Sequence, residues 1–225
     1  MSAAIHTDWR SANFNSRDGQ SVDMLVLHYT GMETGRAALE RLCNPAAEVS
    51  AHYLIEEDGA VFRLVDETER AWHAGVASWR GEANINSRSV GIELVNPGHE
   101  FGYRNFSEAQ YRALIPLCRD IVARHDIPAR NVVGHSDVAP VRKQDPGERF
   151  DWQRLAGEGV GMWPAASAEA CADADVSRLL ADIGYDVSDE TAALTAFQRH
   201  FRPAIVDGVA DDETRRAIAA VHTLI

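Results

Sequence analysis

Short apolar runs, none long enough for a helix, surround a single long segment of helical period in the first two thirds of the chain. Residues 23–28 (DMLVLH) form the first run, and 89–95 (SVGIELV) and 131–135 (NVVGH) form two more. Residues 52–55 and 60–65, joined through Glu56-Glu57-Asp58-Gly59, predict a hairpin with an Asp-Gly turn. The helical segment spans about 107–125. Ser107 and Gln110 match an S-x-x-Q capping box, and Tyr111, Leu114, Ile115, Cys118, Ile121 and Val122 recur at helical spacing. Pro116 lies inside this pattern and predicts a kink. A shorter helix is expected over 35–42. Strands interspersed with helices give an α/β class, a mixed β-sheet flanked by helices.

The character changes near residue 165. Trp163-Pro164-Ala165-Ala166-Ser167 reads as a linker, and three short helical patterns follow. The first covers 175–183, with Val176, Leu179, Leu180 and Ile183 apolar. Ser188 is expected to cap the second, which carries Leu194, Phe197 and Phe201 on one face. Asp211 is expected to cap the third, with Thr214, Ile218 and Val221. The expected organisation is therefore a domain over 1–164, a linker over 165–174 and a small three-helix domain over 175–225. The last is near the lower size limit for independent folding.

Composition narrows the function. The net charge is −12, from 34 acidic and 22 basic residues. A nucleic-acid partner needs a basic footprint, and an anionic membrane attracts basic segments, so both are disfavoured. No apolar stretch is long enough to span a bilayer. The N-terminal residues are polar and lack the apolar core of a signal peptide. The three cysteines, Cys43, Cys118 and Cys171, are widely spaced with no C-x-x-C, which suits a reducing compartment. The cytoplasm is the expected location, and the periplasm is the alternative.

Several residues stand where chemistry is possible. His28 and His135 end short apolar runs, so each is rigidly held yet faces a rim. Asp145 follows ten residues after His135, in the sharply turning VRKQDPG loop. Two imidazoles and one carboxylate match a catalytic zinc site with an open position; the plainer alternative is two rim histidines and a turn aspartate. Lys143 is the only lysine among the 22 basic residues. A compact ammonium fits beside a developing oxyanion differently from a guanidinium. Glu93 interrupts an apolar strand between Ile92 and Leu94, so it either faces a site or points to solvent. Burial would make it a general base. Trp72-His73 and Trp79 offer aromatic surface for a carbohydrate or peptide cleft, with core packing as the alternative. His52 reads as a structural histidine.

Six segments in order, LVLHYT, SAHYLIEEDG, RAWHAG, SVGIELVN, VVGHSDVAP and RKQDPGERFDW, resemble the zinc-dependent N-acetylmuramoyl-L-alanine amidases of the amidase type 2 family. That family is related to phage lysozyme-like amidases and peptidoglycan recognition proteins. The resemblance covers about residues 23–152. It implies a zinc ion (Zn2+) held by His28, His135 and Asp145. Glu93 would orient and deprotonate water, and Lys143 would stabilise the tetrahedral oxyanion. It also implies substrate contacts from Trp72, His73 and Asn96. Some relatives carry a tyrosine where Ala51 stands here; those relatives lack the glutamate, so the base role rests on Glu93.

The tail, with Phe197-Gln198 and an Asp-Gly before the last helix, is similar to a helical peptidoglycan-binding domain. A generic helical cap is the alternative. The implied reaction is hydrolysis of the amide between N-acetylmuramic acid and the stem-peptide L-alanine. The implied partner is a soluble 1,6-anhydro-muropeptide in cell-wall recycling. Polymeric peptidoglycan and a non-catalytic binding module are the competing readings. Oligomeric state is not readable from the chain. A cysteine hydrolase is disfavoured: Cys118 falls in a helix's apolar stripe, Cys43 near a helix end and Cys171 in the linker region, and none resembles an activated thiolate.

Overall fold

The structure is a computed structural model that describes residues 4–164 and 175–225. The expected linker and Cys171 lie outside the described residues. Among the described residues, a six-stranded sheet forms the centre. Its strands are β1 (Ile5–His6), β2 (Met24–Tyr29), β3 (Tyr53–Ile55), β4 (Val61–Arg63), β5 (Ser89–Leu94) and β6 (Val132–Gly134). Their spatial order is β1-β4-β3-β5-β2-β6, and only the β3–β4 hairpin is antiparallel. Gly59, at positive φ, closes that hairpin as the Asp-Gly pair predicts.

The principal helices are α1 (Gly35–Cys43), α2 (Glu108–His125), α3 (His135–Val138), α4 (Val176–Ile183), α5 (Glu190–Phe201) and α6 (Asp212–His222). The capping box on α2 is formed in both directions by Ser107 and Gln110. The helix runs unbroken past Pro116. Proline there removes one hydrogen bond, but Leu114, Leu117 and Cys118 on either side are buried against the sheet and hold the helix on it.

Alternation along the strands assigns two faces. Leu25 and Leu27 of β2, with Val90, Ile92 and Leu94 of β5, pack under Tyr111, Leu114, Cys118 and Ile121 of α2. The opposite face carries Met24, Val26 and His28 from β2. It also carries Ser89, Gly91 and Glu93 from β5. One end of this face is covered by the C-terminal helices: Met24, Val26, Val133 and Val138 form one cluster with Leu180, Ile183, Phe197, Ile218 and Val221. The side near β3 is covered by α1, through Ala38, Leu39 and Leu42 against Leu54. Between these covers a cleft stays open, at the carboxyl ends of the parallel strands.

Two local expectations are corrected. His135 does not end a strand; it opens the short helix α3 immediately after β6. Asp189, not Ser188, caps α5, accepting the Ala192 N–H at 3.0 Å. The Ser188 N–H is held instead by Asp186 in a local turn.

Candidate active site and metal centre

Three segments remote in sequence supply the centre. His28 stands near the end of β2, His135 opens α3, and Asp145 lies in the loop before the cis Asp145–Pro146 bond. His28 and His135 are 107 residues apart in the chain. Their Nδ1 atoms approach to 3.0 Å, and Asp145 Oδ2 lies 2.9 Å from the first and 3.0 Å from the second. All three side chains are buried.

The surrounding hydrogen bonds decide which nitrogens carry protons. The Ser89 hydroxyl donates to the Ile85 carbonyl at 2.7 Å, leaving its lone pairs for the His73 Nε2–H at 3.1 Å. His73 Nδ1 is then an acceptor, and His28 donates to it through Nε2–H at 3.1 Å. His135 donates through Nε2–H to the Ala74 carbonyl at 3.0 Å. Each ligand ring therefore presents a bare Nδ1 lone pair to the other and to a carboxylate oxygen. No proton is left among the three to hold them together. Such a set suits a cation, and outer partners of this kind are what fix ligand histidines.

Electrostatics agrees. Burial, with His135 beside it, lowers His28 to about 4, which keeps it neutral and able to ligate. Burial pushes His73 well below the usual histidine range, with His28 and His52 adding to the shift.

Around this trio lies a cleft of about 700 Å3, lined among others by Tyr29, Trp72, Glu93, Phe101 and Lys143. Glu93 is the register partner of His28 on β5. Its Oε2 is buried and has no hydrogen-bond partner among the described residues. Burial raises its pKa well above the ordinary value; Asp145 adds to this and Lys143 opposes it. Lys143 lines the same cleft and makes no ion pair with the described residues.

Trp72 lines the cleft while its indole N–H donates to Asn15 at 2.7 Å. His73 lines the same cleft. Both its ring nitrogens are taken, one by ligand His28 and the other by Ser89. Asn96 is placed differently. It is 1% exposed, its amide donates to the Arg104 carbonyl and its Oδ1 accepts the Gly98 N–H. It therefore knits a loop and lies outside the cleft lining. Trp79 is buried against Tyr185. His52 is fully buried, and its Nδ1 accepts the Gly91 N–H at 2.9 Å. Cys43 and Cys118 are free thiols whose pKa burial raises, so neither is an activated nucleophile.

Sequence reasoning missed Ser89, Gly91 and Ala74. Ser89 and Gly91 had a signal, because they precede Glu93 at period two on one strand face. An added Cβ at Gly91 would lie 2.5 Å from His73 Cγ, so the glycine makes room for the ring.

The chain is 38% identical over 229 residues to the N-acetylmuramoyl-L-alanine amidase AmiD of Escherichia coli K12, covering 89% of this chain and 82% of that protein. It is 42% identical over 107 residues to the 1,6-anhydro-N-acetylmuramyl-L-alanine amidase AmpD of Enterobacter cloacae, covering 48% of this chain and 55% of that one. Among solved structures it is similar to AmiD from E. coli in complex with the substrate anhydro-N-acetylmuramic acid-L-Ala-D-gamma-Glu-L-Lys. That match has a TM-score of 0.81 and 37% identity, and covers 93% of this chain and 90% of that one. With residues 18–148 matching the Amidase_2 family model, the chain belongs to the N-acetylmuramoyl-L-alanine amidase family.

Proposed function

We propose that this amidase hydrolyses the amide joining the lactyl group of 1,6-anhydro-N-acetylmuramic acid to the L-alanine of the stem peptide, in cell-wall recycling. The observation that carries the reading is the convergence of the His28, His135 and Asp145 ligand atoms beside Glu93 and Lys143 in one cleft. The AmpD relatives are named for 1,6-anhydro substrates, and the AmiD complex is described with one. We assign the metal as zinc, because two neutral imidazoles and a carboxylate are a zinc hydrolase donor set. Zinc supplies a Lewis acid that lowers the pKa of adjacent water and polarises a carbonyl.

The chain's own residues do the rest. Glu93 takes the proton of the attacking water at its unpartnered Oε2 and later passes it to the leaving amine. A carboxyl whose pKa burial has raised holds a proton more firmly than an ordinary one, which suits that exchange. The Lys143 ammonium stabilises the oxygen that gains charge as the carbonyl is attacked. Trp72 provides an aromatic wall for the sugar or peptide.

We divide the chain into a catalytic domain over 1–164, a linker over 165–174 and a peptidoglycan-binding-like helical unit over 175–225. The cytoplasm is the compartment we assign, on the free thiols of Cys43 and Cys118. No helix among the described residues is long and apolar enough to cross a membrane.

The test is mass spectrometry of stem peptide released by the zinc-loaded protein from soluble anhydro-muropeptide and from intact sacculi, each with a chelated control. Chelator-sensitive release from the soluble substrate is expected. Release from sacculi alone would make the protein a wall-remodelling enzyme, and no release from either would overturn the catalytic reading.

A further inference from the structure

Asp137 lies two residues after ligand His135, on α3, and is 1% exposed. A carboxylate so removed from water needs donors. It has three. The Gly134 N–H donates to Oδ2 at 2.7 Å. The other two belong to the C-terminal region: the Tyr185 hydroxyl donates to Oδ1 at 2.7 Å, and His200 Nδ1–H donates to Oδ2 at 2.7 Å. Tyr185 follows α4, and His200 sits in α5.

Both donors are held rigidly. The Tyr185 ring packs edge-on to Trp79, and His200 is stacked 3.8 Å from Trp152 and 3.9 Å from Phe201. The turn they grip holds two metal ligands. His135 is part of it, and the Ser136 N–H donates to the Asp145 backbone carbonyl at 2.9 Å.

We propose that the C-terminal helices are a working part of the metal centre. Tyr185 and His200 are positioning residues that act through Asp137 on the 134–138 turn, and so set the spacing of His135 and Asp145. This rests on the metal assignment above. Without the two donors, Asp137 keeps one hydrogen bond in a buried place. A buried carboxylate in that state moves toward water and takes the turn with it. The coupling is reciprocal, so metal binding tightens the docking of the helices.

The test uses the full chain as Tyr185→Phe, His200→Ala and His200→Asn. Phe keeps the ring packing and loses the hydroxyl. Asn restores an amide N–H close to the position of Nδ1. Zinc affinity is measured by competition with a chromogenic chelator, ligand geometry by the visible spectrum of the cobalt-substituted protein, and docking by hydrogen exchange over 176–222 with and without zinc. Tyr185→Phe and His200→Ala should each weaken zinc about tenfold and alter the cobalt spectrum, and His200→Asn should recover most of the loss. Zinc should slow exchange in the wild-type helices. Zinc affinities within twofold of wild type and unchanged spectra in both Tyr185→Phe and His200→Ala would overturn the inference. So would a His200→Asn protein as weak as His200→Ala, since packing alone would then explain the loss. Failure of the metal assignment is separately visible, as a wild-type chain that takes up no zinc.

Discussion

His28 and Glu93 are register partners on adjacent parallel strands, so the proposed metal ligand and the proposed base project from the same face of one sheet. Their separation is set by the spacing of paired strands, about 4.8 Å, and does not depend on loop conformation. Glu93→Gln keeps the shape and removes the base. Turnover should fall by about two to three orders of magnitude. Zinc content, measured by elemental analysis, should stay at the wild-type level. Near wild-type turnover in this variant would take the base role from Glu93.

Lys143 is tested by Lys143→Arg, which keeps the charge and changes its shape. If a compact ammonium is needed beside the oxyanion, kcat should fall by about two orders of magnitude while KM moves little. A variant that loses only substrate affinity would make Lys143 a binding residue.

Gly91→Ala tests the chain of contacts behind His28. The new methyl group meets the His73 ring, and overpacking of this kind destabilises by about 1–3 kcal/mol. Ser89→Ala removes the acceptor of the His73 Nε2–H without crowding. Both should weaken zinc about tenfold or more in a chelator competition. Unaltered zinc affinity in Ser89→Ala would show that the Ser89–His73 contact does not govern the ligand.

Glu67 gives the fold a defined acid sensitivity. Burial would raise its carboxyl, but hydrogen bonds from Arg124, Tyr53 and His125 win and hold it at about 2, against an ordinary value of 4.5. The folded pKa lies below the unfolded one. Its stabilising contribution is therefore complete above about pH 4.5 and is lost as the pH falls toward 2. In melting curves, wild type and Glu67→Gln should differ most above pH 5 and converge in that window. A difference that is the same at pH 7 and pH 3 would contradict this.

Much of the centre was legible because strand chemistry is local. A histidine at the end of DMLVLH and a glutamate inside SVGIELV announce themselves against apolar neighbours, and period two places them on a face. Asp145 and Lys143 stand out by their turn and by composition. His73 and Asn96 were read by resemblance as substrate contacts. Their hydrogen-bond partners, His28, Ser89, Arg104 and Gly98, are set by tertiary packing, which no local pattern reports. The same holds for the C-terminal helices. Their caps and apolar stripes are visible in the sequence. That the stripe closes over Met24, Val26 and Val133, and that Tyr185 and His200 meet Asp137, depends on contacts across tens to more than one hundred residues.

The distance along the chain between His28 and His135 also fixes when the metal can matter. Only His135 and Asp145 of the proposed ligands lie in one short segment, and not at zinc-finger spacing, so the full set is not gathered until β2 and β6 have paired. Refolding should proceed at the same rate with or without zinc, because the long loops must close first. The ion is then a late passenger on a completed sheet. Its uptake during refolding from denaturant would time the last step of assembly, where in a zinc finger it would time the first.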